Sequence, residues 1–108
     1  MRIDLMQLEF VDITLRKIAT WLEDSTGLEF IVTSLYRMGD PGVHGQLPLW
    51  AIDLRMRDWD IGREIETHVN FTWEYDPERQ NMQCAVLHDA GFGLHLHLQS
   101  HPHTRRRA

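Results

Sequence analysis

Three histidines and one aspartate are the residues of this chain best suited to chemistry. His44 precedes Asp53, and a His95-Leu96-His97 triplet follows far downstream. Two imidazoles and a carboxylate are the donor set of a hydrolytic zinc site, in which three protein ligands leave one tetrahedral position open for water. Side chains at i and i+2 of a strand point to the same side, so His95 and His97 share a face if residues 94–99 form a strand. The spacing therefore predicts a site on one face of a sheet.

The strand predicted over residues 50–56 has a matching alternation. Asp53 falls on one side with Ala51 and Arg55, and the other side is apolar, with Trp50, Ile52, Leu54 and Met56. Two strands with apolar backs can share a core and present Asp53 and His97 together on the opposite side. The alternative is that each histidine is an ordinary surface or core residue that binds no ligand.

The chain has 108 residues, of which 43% are hydrophobic, which suits one domain with a core of its own. We expect that domain to span residues 1–100 and residues 101–108 to form a flexible basic tail. In that tail Pro102 removes a ladder donor, so His101 and His103 are expected to be exposed.

Composition also limits the partners and the compartment. The net charge of -5 disfavours nucleic acid as the main partner. Cys84 is the only cysteine, which excludes an internal disulfide and a cysteine-based zinc site, and its apolar surroundings predict a buried, inert thiol. No apolar run approaches the ~20 residues of a membrane helix, and the beginning of the chain does not resemble a signal peptide. We expect a protein that is cytoplasmic as synthesised; its oligomeric state stays open.

The remaining patterns predict an α+β domain. A helix is expected over 12–25, capped by Asp12 or Thr14 and stopped by Gly27, and a second over 59–69, beginning near Asp58 or Asp60. The expected strands are 28–36, 50–56, 70–75, 82–88 and 94–99, and His44 lies in a loop over 38–48. These elements favour a mostly antiparallel sheet of about four to five strands, with two helices on one face and the zinc site on the other.

The chain resembles the zinc peptidases that include D-alanyl-D-alanine carboxypeptidases, phage L-alanyl-D-glutamate endopeptidases and the hedgehog-type fold. The family order is Ser-x-x-Arg at a strand end, then His and Asp, then a final His that is often part of His-x-His. Ser34-Leu35-Tyr36-Arg37, His44, Asp53 and His95-Leu96-His97 follow that order over residues 30–99. The chain looks closest to small uncharacterised phage and prophage proteins with a similar HG-x-LP-x-x-AIDLR segment and a terminal HLHLQ.

The resemblance implies a role for each of these residues. His44, Asp53 and His97 would bind Zn²⁺, His95 would lie beside a ligand or the substrate, and Arg37 would hold a substrate carboxylate. A guanidinium suits that task because it binds a carboxylate with two hydrogen bonds, although a structural salt bridge is the alternative for Arg37.

The chain departs from the family at the general base. Leu94 stands three residues before His97, where many members have an acid. The proton acceptor is therefore left open among His95, His88, Asp89 and Glu74. The register that would place His88 opposite His95 is open too.

The preferred interpretation is a zinc-dependent metallopeptidase or amidohydrolase, a phage-related hydrolase of peptidoglycan stem peptides. Whether it would act as a carboxypeptidase or an endopeptidase is open. The alternative is a non-catalytic metal-binding domain that binds a protein or peptide partner. A nucleic-acid accessory protein using Arg105–Arg107 is a third, weaker interpretation, which the acidic balance disfavours.

Overall fold

The computed structural model describes residues 11–36, 50–89 and 93–107. In these ranges the helices are α1 (Ile13–Thr26) and α2 (Trp59–Thr72), and the strands are β1 (Val32–Tyr36), β2 (Ala51–Arg55), β3 (Trp73–Glu74), β4 (Ala85–Asp89), β5 (Leu94–Gln99) and β6 (Arg105–Arg106). Four strands form an antiparallel sheet in the order β1-β2-β5-β4, and β3 pairs with β6 in a second, small sheet. The predicted α+β class with a mostly antiparallel sheet is confirmed. Neither described helix combines the length and apolar character needed to cross a bilayer.

The ends of α1 are set by Asp12, one of the two expected capping residues, and by Gly27. One carboxylate oxygen of Asp12, Oδ2, accepts hydrogen bonds from the backbone N–H groups of Thr14 (3.0 Å) and Leu15 (3.1 Å), which would otherwise lack partners in the first turn. Gly27 adopts the left-handed conformation (φ 70°), and its N–H donates to the carbonyl of Glu23.

Helix α2 begins as expected but continues further. Asp58 caps its start by accepting from the N–H of Ile61 at 2.9 Å. The predicted strand over 70–75 is wrong for residues 70–72, which complete the helix, and only Trp73–Glu74 is extended. The amide of Asn70 pairs with both backbone groups of Ala85, at 2.8 and 2.9 Å. The Asn70 side chain, near the end of α2, thereby supplies hydrogen-bond partners to the backbone at the edge of β4. The alternation of residues 70–75 does not reveal this contact.

The core lies between the sheet and the helices. Alternate residues of the sheet strands, among them Ile52, Leu54, Leu87, Leu96 and Leu98, are buried in one cluster with residues of α1 and α2. Helix α2 approaches β4 closely at Gly62, where an added Cβ would lie 2.7 Å from Cδ1 of Leu87. Glycine is a poor helix former, but at position 62 its lack of a side chain allows α2 to pack closely on the sheet.

The C-terminal residues are joined to the domain. Arg105–Arg106, which we expected within a flexible tail, form β6 and pair with Trp73 and Glu74. The carboxylate of Glu74 accepts from Arg105 at 2.9 Å and from Arg107 at 3.2 Å. Arg105 and Arg106 are therefore strand partners of β3, and Arg105 and Arg107 form ion pairs with its Glu74.

Candidate metal centre

The strand register brings the candidate residues to the sheet face opposite the helices. Asp53 on β2 pairs directly with His97 on β5. His95, two residues earlier on β5, pairs with His88 on β4. Since paired residues of neighbouring strands project to the same side, Asp53 and three imidazoles share this face. The parity predicted for Asp53, His95 and His97 holds, and the register adds His88.

Asp53 contacts two of the imidazoles with different oxygens. Its Oδ1 lies 3.0 Å from Nδ1 of His97, and its Oδ2 lies 3.5 Å from Nε2 of His95. The rings of His88 and His95 meet edge to face with centroids 4.0 Å apart. Asp53 is 8% exposed, so its charge is largely removed from water and depends on these neighbours.

One subset of these residues has the spacing of metal ligands. Candidate ligand atoms of Asp53, His88 and His95 all lie within 4.8 Å of one another, so this group could hold a metal ion. Ligand atoms of tetrahedral zinc lie about 2.0–2.1 Å from the ion and hence roughly 3.3 Å from each other. The 3.5 Å separation of Asp53 Oδ2 and His95 Nε2 is close to that value and is long for a hydrogen bond.

His97 has the contacts of a hydrogen-bond donor instead. The amide of Gln99 donates through Nε2 to the carbonyl of Gln83 at 2.7 Å, which leaves its Oε1 facing Nε2 of His97 at 3.1 Å. The other ring nitrogen of His97 faces a carboxylate oxygen of Asp53 at 3.0 Å. With an acceptor beside each ring nitrogen, His97 can donate a hydrogen bond from either one. It is thus arranged to orient Asp53, as partners of metal-binding carboxylates do.

The pKa of His88 is lowered from its ordinary value. Burial is the main cause, because it disfavours the charged imidazolium; the nearby imidazole of His95 acts in the same direction, and Asp53 opposes it. A lowered pKa keeps His88 neutral at pH 7, which is the state that binds a metal ion.

The structure describes only some of the other predicted site residues. His44 and Arg37 lie outside the described residues, so the set of His44, Asp53 and His97 stays a prediction. Glu74, a candidate base, is paired with Arg105 and Arg107 at the small sheet.

The strand register also shows on which face of the sheet two further residues lie. Asp89 alternates with His88 along β4 and so lies on the helix side by parity. Arg55, which the alternation places on the side of Asp53 but to which the sequence analysis gave no role, is exposed and pairs with His95 on that face. Its place in the strand alternation was the signal that could have identified it.

A second group of His and Asp side chains also has the spacing of metal ligands. Candidate ligand atoms of Asp76, His101 and His103 lie within 4.8 Å of one another. The expected exposure holds for His103, whereas His101 is partly buried. The His-x-His spacing was visible in the sequence, but the aspartate that joins the two rings is distant along the chain.

Comparison of the chain with models of protein families, with curated proteins and with solved structures found no significant match.

Proposed function

We propose that this protein is a zinc-dependent peptidase that hydrolyses amide bonds in peptidoglycan stem peptides. The observation that carries the proposal is the group of Asp53, His88 and His95, two imidazoles and one carboxylate within mutual ligand distance on one sheet face. The peptidoglycan substrate is supported by the sequence resemblance alone.

The donor types favour zinc over the harder cations. Imidazoles suit Zn²⁺ and similar transition metals, whereas Mg²⁺ and Ca²⁺ prefer oxygen ligands throughout. In our assignment Oδ2 of Asp53 and Nε2 of His95, which lie 3.5 Å apart, would hold the ion together with His88. Zinc held there would supply Lewis-acid chemistry, polarising a carbonyl and lowering the pKa of water to roughly 7.

The chain's own groups account for orientation and binding. His97 orients the Asp53 carboxylate through a 3.0 Å hydrogen bond. It is the imidazole of this face that is not a ligand in our assignment, and we assign proton transfer to it. The guanidinium of Arg55 projects from the same face beside His95 and offers a partner for a substrate carboxylate, the role that the resemblance gives to Arg37. Both arginines therefore belong in the test.

The experiment compares zinc-loaded wild type with His95→Ala and with His68→Ala. His68 is a matched control because it lies on α2 against Trp21 and Ser25, outside both clusters. We expect release of free amino groups from purified peptidoglycan by wild type and His68→Ala, loss of that activity in His95→Ala, and inhibition by chelators. Arg55→Ala should raise KM, and Arg57→Ala serves as its control.

The possible failures separate the alternatives. Zinc bound without hydrolysis of any cross-link type would establish the non-catalytic metal-binding domain instead. A wild-type protein that binds no zinc at the Asp53 site would exclude both functions.

A further inference from the structure

A buried carboxylate outside the proposed active site faces two histidines. The side chain of Asp76 is only 3% exposed, and each of its oxygens is directed at one imidazole. Oδ2 lies 3.6 Å from Nδ1 of His101, and Oδ1 lies 3.7 Å from Nδ1 of His103. Both distances are too long for hydrogen bonds but near the separation of neighbouring ligands around a metal ion.

The nitrogen of His101 that faces Asp76 also has a backbone partner. The N–H of His103 donates to Nδ1 of His101 at 3.1 Å, so this nitrogen acts as an acceptor. It lies 3.6 Å from Oδ2 of Asp76, and a cation between these two atoms would be attracted by both.

Several hydrogen bonds fix the histidine turn over Asp76. The N–H of His101 donates to Oγ1 of Thr104 at 2.7 Å, and that hydroxyl donates to the carbonyl of Tyr75 at 2.7 Å. The ring of His101 lies against the ring of Tyr75. The turn is thus tied to the residue just before Asp76, and little ordering remains to be done when an ion binds.

The carboxylate has partners besides the two imidazoles. The N–H of Glu78 donates to Oδ1 of Asp76 at 3.0 Å. The guanidinium of Arg79 lies 3.6 Å from Oδ2 but is itself largely exposed, so it can move away from an incoming cation.

We propose that Asp76, His101 and His103 form a second metal site, structural in role, which takes a Zn²⁺-like transition-metal cation and fastens the C-terminal segment to the domain. Asp76 follows β3 and the two histidines precede β6, so an ion held by all three would link the strands of the small sheet at one end. The two imidazoles again favour a transition metal over Ca²⁺ or Mg²⁺. This site is independent of the proposed peptidase activity.

The test is a titration of tag-free, chelator-treated protein with Zn²⁺, followed by calorimetry. His103 is 63% exposed at its side chain, so His103→Ala should leave the fold intact. We expect two equivalents for wild type and for the control His68→Ala, and one for His103→Ala. His95→Ala should lose the other equivalent, and the His95→Ala/His103→Ala double variant should bind none. Arg79→Ala should tighten the second equivalent, because it removes a competing cation.

A second measurement follows the residues directly. Zinc should shift the ring signals of His101 and His103 in NMR spectra and speed hydrogen exchange of the His103 amide, whose acceptor the ion takes. It should slow exchange at the Arg106 and Arg107 amides. Retention of two equivalents in His103→Ala, or wild-type ring signals that respond to pH but not to zinc, would overturn the proposal. Neither result bears on the Asp53 site, which the His95→Ala variant tests separately.

Discussion

Replacing His97 by alanine tests whether this imidazole orients Asp53, the proposed metal-binding carboxylate, or is itself a ligand. His97→Ala removes the 3.0 Å hydrogen bond to Oδ1 of Asp53 and leaves the contact between Oδ2 and His95 in place. Loss of a hydrogen-bonding partner of a ligand weakens metal binding by about 10–100-fold, or about 1.4–2.7 kcal/mol. His95→Ala removes a ligand in our assignment, so it should weaken binding by more than that.

The measurement is competition for Zn²⁺ against a chromogenic chelator at pH 7, with His103→Ala as the background so that a single site is counted. The conservative variant is His97→Asn, whose side-chain nitrogen can replace Nδ1 as a donor to Asp53 and should recover part of the affinity. If His97→Ala abolishes zinc binding while His95→Ala keeps it, the roles are those implied by the peptidase resemblance. Unchanged affinity in His97→Ala would refute the orienting role.

Three further predictions concern the framework of the site. Asp12→Ala removes the cap of α1 (about 1 kcal/mol) and leaves the hydroxyl of Ser100, which is 1% exposed, without its 3.0 Å acceptor (about 1–3 kcal/mol), so urea unfolding should show a loss of about 2–4 kcal/mol. The loss should shrink in a Ser100→Ala background. Gly62→Ala gains about 1 kcal/mol of helix propensity but forces Leu87 to move, at about 1–3 kcal/mol, so we expect net destabilisation that reverses in Leu87→Ala. Burial raises the pKa of Cys84 to about 12 from 9.0, so its thiolate fraction at pH 8 is about a thousandfold lower than in the unfolded chain. Iodoacetamide should therefore label Cys84 only at the rate at which the protein unfolds, and labelling faster than unfolding would contradict this. The free energy of unfolding should also fall as the pH rises from 9 towards 12.

Local signals predicted much of this structure. Asp12 and Gly27 bound α1 as expected, because capping depends on residues within one turn of the helix end. The strand over 94–99 has the predicted limits, and its alternation correctly places His95 and His97 together on one face. Alternation is a property of a single strand, so the sequence alone sufficed.

What the sequence missed depends on contacts between distant segments. Helix α2 runs past residue 69 because Asn70 pairs with Ala85, and β6 exists because β3 offers it a partner. The place of His88 opposite His95 required the register of β4 on β5, which no residue pattern fixes. The ligand set that we propose, Asp53, His88 and His95, follows from that register.

The order of strands in the sheet has a consequence for how the proposed metal site would assemble. β4 and β5 are successive along the chain, so His88 and His95 can meet as soon as these two strands pair, whereas Asp53 arrives only when β2 joins β5. A chain that has not yet folded therefore already carries two of the three donors in one short segment. Metal captured there would select the correct β4–β5 pairing early. It would also bind the denatured state, so the stability that zinc adds at equilibrium should be smaller than its affinity for the folded protein implies.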